Sequence, residues 1–175
     1  MKPLVDSVLK AACIAGLLLS SQVTANTYQL FLVRHAEKAV VDSADPALSE
    51  CGQLQAKALA ILFKAVPLPQ LFHTPYQRTT MTATALLQQG RRLRSYDPAN
   101  LTELSQHLLQ AQQSAVVVGH SNTTPQLAAM LSGQEIPAMS EQQYGVIYQL
   151  IFNKQQLIWM NQLQLPHPKD CDQNK

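Results

Sequence analysis

The chain has 175 residues, a length that suits one domain. Hydrophobic residues make up 46% of it, which is enough to build a substantial core, whereas charged residues make up only 14%. The formal net charge of +2 is too small to indicate a nucleic-acid partner or an anionic membrane surface.

The N-terminal segment has the layout of a secretory signal peptide. Lys2 and Lys10 precede the apolar stretch AACIAGLLL at 11–19, and small residues end a polar region at Ala25. The apolar stretch is short for a membrane span, although a retained anchor is the alternative. We therefore expect a signal peptide at 1–25, a mature domain at 26–175 that is periplasmic or secreted, and no stable membrane association after cleavage.

Export would leave two cysteines, Cys51 and Cys171, in an oxidising compartment. Such a pair can form a disulfide, but two widely separated cysteines leave the question open. No spacing typical of a metal site is present, so we expect neither a metal nor another cofactor.

The mature chain alternates between strand and helix patterns. In chain order the sequence predicts a strand at 28–33, a helix at 49–65 capped by Ser49, a strand at 70–74, a helix at 76–89, a strand at 92–96, a helix at 99–112, a strand at 114–120, a helix at 123–133, and two strands at 144–152 and 156–165 joined by a short turn. We expect Tyr144, in the first of these two strands, to serve in packing rather than in substrate contact, and Trp159, in the second, to be a core residue.

This order predicts an α/β fold with three layers. Alternating strands and helices favour a mostly parallel sheet with helices on both faces, and the last two strands add an antiparallel hairpin at one edge. Ligands of such sheets bind beyond the C-terminal ends of the strands.

Four polar residues fall at this end of the predicted sheet: Arg34, His35, Arg78 and His120. Arginines suit phosphate oxygens because the guanidinium group presents a planar fork of donors. A neutral histidine can accept a phosphoryl group, and a second histidine can donate to its oxygens. Since cationic side chains can neutralise the transferring oxygens, the set predicts phosphoryl transfer without a metal.

Four ordered motifs carry a resemblance to a known family. The segments LVRHAEK, DPALSECGQLQA (45–56), HTPYQRTTMTA (73–83) and VVVGHSNT (116–123) resemble the signatures of the histidine phosphatase superfamily, which has the phosphoglycerate-mutase-like fold. The HSNT segment departs from the glycine-rich sequence of the mutases and is similar to that of small bacterial phosphatases, which suggests a small secreted branch.

The resemblance implies a role for each matched residue. His35 would be the phosphorylated nucleophile, and Arg34, Arg78 and His120 would hold the transferring oxygens. Ser121 and Asn122, which follow the second histidine, are further candidates for binding the substrate phosphate.

The proton donor for the leaving group is the least certain assignment. Asp97 is the first carboxylate after the strand at 92–96, where larger members of the family present their acid, and Pro98 would stiffen its turn. Glu103 and Glu37 are the competitors, and Asp97 could also be an ordinary turn residue.

The sequence thus predicts a metal-independent phosphatase that hydrolyses phosphomonoesters through a phosphohistidine intermediate. The substrate would be a phosphorylated small molecule or a phosphoprotein. A phosphomutase or a protein-phosphohistidine phosphatase on the same fold is the nearest alternative, and a catalytically weak periplasmic phosphate-binding protein is the alternative from another class.

Overall fold

The fold was analysed in a computed structural model that describes residues 27–88, 90–169 and 171. The predicted signal peptide at 1–25 lies outside these residues. The elements are β1 (Thr27–Arg34), α1 (Glu50–Leu62), β2 (Gln70–His73), α2 (Gln77–Ala85), β3 (Arg92–Ser95), α3 (Leu101–Ala111), β4 (Ala115–Gly119), α4 (Thr123–Ser132), β5 (Val146–Asn153) and β6 (Gln156–Gln164). No helix within these ranges is long and apolar enough to cross a membrane.

The strands form one sheet in the order β3-β2-β4-β1-β5-β6. The first four are parallel to one another, whereas β5 and β6 run antiparallel at one edge. This arrangement confirms the predicted fold class, including the C-terminal hairpin. Because the chain crosses between strands that are not sequential neighbours, β1 and β4 lie side by side in the middle of the sheet.

Two cores cover the two faces of the sheet. On β4, Val116 and Val118 pack with residues of α1 and α2, whereas Ala115 and Val117 pack with residues of α3 and α4. The alternation follows from the two-residue period of a strand, and it places two helices on each face. All five residues of β4 are buried, as expected of a central parallel strand.

Both helices on the first face end earlier than the sequence predicts, and one arginine accounts for this. The side chain of Arg91 donates to the carbonyl oxygens of Leu86 (2.7 Å), Phe63 (2.6 Å) and Val66 (3.1 Å). These carbonyls lie at or just beyond the ends of α1 and α2, where the helices leave acceptors unpaired. Arg91 therefore terminates two helices from a position between α2 and β3.

The start of α1 lies directly against the segment that follows β1. Ser49 caps this helix, as predicted, by accepting from the backbone N–H of Gly52 at 2.9 Å. A Cβ atom at position 52 would lie 2.0 Å from the carbonyl oxygen of Glu37, so only glycine permits the approach. The helix thereby supports the loop that carries His35.

The expectation that Trp159 is a core residue is wrong. Its residue surface is 62% exposed, because β6 is the edge strand and most of its residues face solvent. An apolar run cannot by itself distinguish an edge strand from a central one, since both present similar residues.

Cys51 and Cys171, whose pairing the sequence left open, form a disulfide. The bond joins the first turn of α1 to the C-terminal segment across a separation of 120 residues. A crosslink that closes so long a loop restricts the unfolded chain strongly.

We expect the variant Cys51→Ser/Cys171→Ser to lose about 2–5 kcal/mol of unfolding free energy, because the unfolded chain regains its loop entropy. Urea denaturation monitored by circular dichroism measures the change. A thiol reductant should destabilise the wild type by a similar amount and leave the double variant unaffected. Equal stability of the oxidised wild type and the variant would contradict the crosslink.

Candidate active site

The candidate site lies where β1 and β4 end side by side. Arg34, the last residue of β1, is paired in register with Gly119, the last residue of β4. The backbone N–H of His35 then donates to the carbonyl oxygen of Gly119 at 2.9 Å. As a result the ring centroids of His35 and His120 lie 5.4 Å apart, although the two residues are distant in sequence.

The imidazole of His35 is held in one tautomer. Its Nδ1 lies 2.8 Å from the carbonyl oxygen of Ala36. Because a carbonyl oxygen can only accept, Nδ1 must carry the proton, and Nε2 keeps its lone pair. Burial, opposed by the hydrogen bond to Ala36 and assisted by the neighbouring cation of Arg34, lowers the pKa of His35 to about 3. His35 is thus a neutral imidazole with a nucleophilic Nε2.

A chain of hydroxyl groups fixes His120 in the opposite tautomer. Its Nδ1 lies 3.4 Å from Nη2 of Arg78, which can only donate, so Nδ1 is the acceptor. Nε2–H therefore donates to Oγ1 of Thr74 at 2.8 Å. The Thr74 hydroxyl lies 2.9 Å from Oγ1 of Thr79, whose own proton can go to the carbonyl oxygen of Thr74 or of Tyr76, each at 2.8 Å.

His120 is also neutral in the free protein. Burial, together with the cations of Arg78 and Arg34, lowers the pKa of His120 to about 4. A phosphate dianion in the site would act in the opposite direction and raise this pKa. The sequence could not reveal this because burial depends on the assembled fold.

Arg78 is positioned by a carboxylate and an aromatic ring. Its Nη1 lies 3.3 Å from Oδ1 of Asp45, and its guanidinium carbon lies 4.6 Å from the ring centre of Tyr76. Asp45 is anchored in turn, because its Oδ1 accepts from the backbone N–H of Gln77 at 3.0 Å. The carboxylate therefore links the β1–α1 loop to the first turn of α2.

Arg34 and His35 are the buried members of the predicted set. The side chain of Arg34 is 0% exposed, and Nη1 donates to the carbonyl oxygens of Ser140 and Gln143, each at 2.9 Å. Nη2 donates to Oε2 of Glu141 at 3.2 Å. Within the described part of the chain, no acceptor contacts Nε. The guanidinium carbon lies 4.2 Å from the ring centre of Tyr144, so this tyrosine packs against Arg34.

An open cavity of about 610 Å³ lies over these groups. His35, Arg78 and His120 line it, together with the predicted binding residues Ser121 and Asn122. Arg34 does not line it and lies behind this surface.

Two charged residues that the sequence analysis did not select also line the cavity, namely Lys38 and Glu141. Lys38 is the last residue of the first motif, LVRHAEK, and could have been chosen on that ground. Glu141 lies in an irregular loop before β5, where no pattern indicated chemistry. Its Oε1 accepts a hydrogen bond from Oγ of Ser121. This bond and the cation of Arg34 lower the pKa of Glu141 against the effect of desolvation.

The carboxylates chosen as proton donors lie elsewhere. Asp97 accepts from the backbone N–H of Ala99 at 2.9 Å within its own turn, and Glu103 accepts from Asn100 at 2.7 Å at the start of α3. Both line a neighbouring cavity rather than the one over His35. Glu37 accepts from Ser49 at 3.0 Å. This placement does not favour any of the three as the acid, and their assignment stays a prediction.

One group of residues within the described ranges has the composition of a metal site. The candidate ligand atoms of Cys51, His167 and Cys171 lie within 4.8 Å of one another. The two sulfur atoms are bonded to each other, and none of the three residues lines the cavity over His35. This group therefore lies apart from the site at His35.

We expect His35 and His120 to remain neutral at pH 5.5, as Nδ1–H and Nε2–H tautomers respectively, because burial holds both pKa values well below 6.5. Long-range ¹H–¹⁵N NMR spectra distinguish the tautomers. Between pH 6.5 and about 4 the unfolded chain binds protons that the folded chain does not, so the free energy of unfolding should fall as the pH falls.

Thr74→Val provides a matched control for the tautomer assignment. It removes the acceptor for Nε2–H of His120, so the His120 signals should change while those of His35 do not. Thr74→Ser should restore the wild-type spectrum. A protonated imidazole at either position at pH 5.5 would contradict the assignment.

Comparison with known proteins agrees with the geometry. Residues 30–106 match the family model of the histidine phosphatase superfamily (branch 1). This range contains Arg34, His35 and Arg78, whereas His120 lies beyond it. No match to this sequence was found among curated proteins.

Several solved structures have a similar fold. The protein histidine phosphatase SixA complexed with tungstate has 18% identity and a TM-score of 0.64, and the alignment covers 75% of this chain and 95% of that one. A mycobacterial glucosyl-3-phosphoglycerate phosphatase has 14% identity and a TM-score of 0.61, with 81% and 100% covered. The alpha-ribazole phosphatase from Shigella flexneri has 16% identity and a TM-score of 0.61, with 78% and 95% covered.

At these identities the structural similarity establishes a shared fold. The family model matches through the first three of the four motifs, and the fold brings the histidine of the fourth beside them. The chain is thus similar to the histidine phosphatase superfamily over residues 30–106 and shares its fold with the solved phosphatases.

Proposed function

We propose that this protein is a phosphatase that transfers a phosphoryl group from a phosphomonoester to Nε2 of His35 and then to water. The observation that carries the proposal is the state of His35: its Nδ1–H is held by Ala36 at 2.8 Å, and its ring lines the cavity beside Arg78 and His120. A neutral nitrogen nucleophile next to fixed cationic groups is what phosphoryl transfer requires.

The surrounding groups would hold the phosphoryl oxygens. Arg78 lines the cavity and supplies a fixed positive charge, and Asn122 and Thr123 place the positive end of α4 at the same surface. His120, which accepts from Arg78 in the free protein, can take up a proton when a phosphate dianion binds and then donate to it.

The reaction would proceed in two displacements. First, Nε2 of His35 forms a bond to phosphorus as the ester P–O bond breaks, and the departing oxygen takes up a proton. Second, a water oxygen attacks phosphorus, the Nε2–P bond breaks, inorganic phosphate leaves, and the imidazole regains its lone pair. No step requires a metal, because cationic side chains can neutralise the oxygens in both displacements.

A protein-phosphohistidine phosphatase is the second candidate. The placement of Asp97 and Glu103 at a neighbouring cavity favours a substrate whose leaving group depends less on a strong acid. The P–N bond of a phosphohistidine breaks more readily than the P–O bond of an alkyl phosphate. Parallel assays with alkyl phosphates, p-nitrophenyl phosphate and a phosphohistidine peptide separate the two candidates, and isomerisation of phosphoglycerates would reveal a mutase.

Brief incubation with ³²P-labelled substrate, quenched without acid, should trap an acid-labile and base-stable phosphoprotein. His35→Asn should abolish the label and slow turnover by roughly 10³-fold or more, because the nucleophile is lost. His167→Asn, which changes an exposed histidine away from the cavity, is the control and should label normally. Label that persists in His35→Asn would refute the assignment.

EDTA should leave turnover almost unchanged, and a loss restored by a divalent ion would refute metal independence.

We also propose that the protein is exported. The signal-like sequence at 1–25 motivates this, and the Cys51–Cys171 disulfide is compatible with an oxidising compartment. Mass spectrometry of the protein from its native host should find an N-terminus near Asn26 in the exported fraction. An intact Met1 terminus in the cytosol would contradict export.

A further inference from the structure

The two edges of the Arg34 guanidinium group are held by different kinds of partner. Nη1 is fixed by two backbone carbonyl oxygens, those of Ser140 and Gln143, so the orientation of the guanidinium group does not depend on Glu141. The opposite edge consists of Nε and Nη2, the pair that binds two oxygens of one anion side by side. Among the residues that the structure describes, none accepts from the buried Nε, whereas Nη2 donates to Glu141.

Glu141 also engages a second donor near the candidate nucleophile. Its Oε2 lies 3.2 Å from Nη2 of Arg34, and its Oε1 accepts from Oγ of Ser121, the residue directly after His120. One carboxylate thus occupies two donors that the resemblance to the superfamily assigns to the substrate phosphate. Like a phosphoryl group, a carboxylate presents two anionic oxygens to such donors.

We propose that Glu141 is an internal competitor for the substrate's phosphoryl group, which must displace it from Arg34 and Ser121 in order to bind there. The proposal deepens the function proposed above and rests on it, since it takes Arg34 as a ligand of the phosphoryl group. It makes Glu141 a determinant of how tightly the site holds anions, including the product phosphate.

The two partners differ in their freedom to move. The side chain of Glu141 is 61% exposed and can turn into solvent, where water replaces its partners at little cost. The side chain of Arg34 is 0% exposed and is held at Nη1, so it stays in place when the carboxylate leaves. Displacement would then uncover an arginine edge and a serine hydroxyl that are already oriented.

The proposal is tested by titrating the protein with inorganic phosphate in a calorimeter. Glu141→Gln keeps the size of the side chain but removes its charge, so phosphate should bind roughly ten-fold more tightly. Glu141→Ala should bind phosphate at least as tightly as Glu141→Gln. The alanine variant is included because the glutamine amide can still form a hydrogen bond that alanine cannot. Glu135→Gln removes the same charge from an exposed residue away from the cavity and should match the wild type.

Competition also predicts that the effect depends on Ser121. In a Ser121→Ala background, Glu141→Gln should improve phosphate binding by a smaller factor, because one of the two masked donors is gone. An equal factor in both backgrounds, or an equal gain from Glu135→Gln, would show a general charge effect and overturn the proposal.

Unchanged or weaker phosphate binding by both Glu141 variants would also overturn it, and would leave Glu141 as a support for its loop. If the wild type still forms the labelled phosphoprotein, that outcome leaves the proposed function intact. If the wild type neither binds phosphate nor forms the phosphoprotein, the proposed function fails together with this inference.

Discussion

The parallel pairing of β1 with β4 is the constraint on which the site depends. The register places Arg34 opposite Gly119, and the next hydrogen bond joins His35 to the Gly119 carbonyl oxygen at 2.9 Å. Gly119 must lack a side chain, because a Cβ atom there would lie 2.8 Å from Oγ1 of Thr123 and 3.1 Å from the hydroxyl of Tyr96. A slip of one residue would turn His35 away from His120.

The apolar sheet controls the chemistry of these groups through desolvation. Burial is the largest cause of the lowered pKa of both His35 and His120, and the nearby arginine cations act in the same direction. Keeping both imidazoles neutral costs stability in acid, where the unfolded chain can be protonated. The same effect gives His35 a lone pair and leaves His120 able to respond to an arriving anion.

The sequence predicted the fold and the central residues because both depend on local patterns. The two-residue and 3.6-residue periods indicated the strands and helices. The four residues Arg34, His35, Arg78 and His120 fall beside strand ends that the topology brings together.

Glu141 was missed because it reaches the site from an irregular loop, far in sequence from the residues it contacts. Asp97 was selected by its place in the chain, but the direction of its side chain depends on a turn that the pattern did not specify. The early ends of α1 and α2 coincide with hydrogen bonds from Arg91 to carbonyl oxygens near both helix ends. Local helix propensity does not predict these contacts.

Each arginine of the site is paired with a carboxylate, but the two pairs are built differently. Asp45 accepts from the backbone N–H of Gln77 at 3.0 Å as well as from Arg78, so it is tied to the start of α2. Among the described residues, the hydrogen-bond partners of Glu141 are the side chains of Arg34 and Ser121, and its own side chain is largely exposed. Asp45 therefore acts as part of the framework that orients Arg78, whereas Glu141 can leave without disturbing the backbone. The difference divides the anion site into a fixed half at Arg78, which lines the cavity, and an exchangeable half at Arg34, which does not line it.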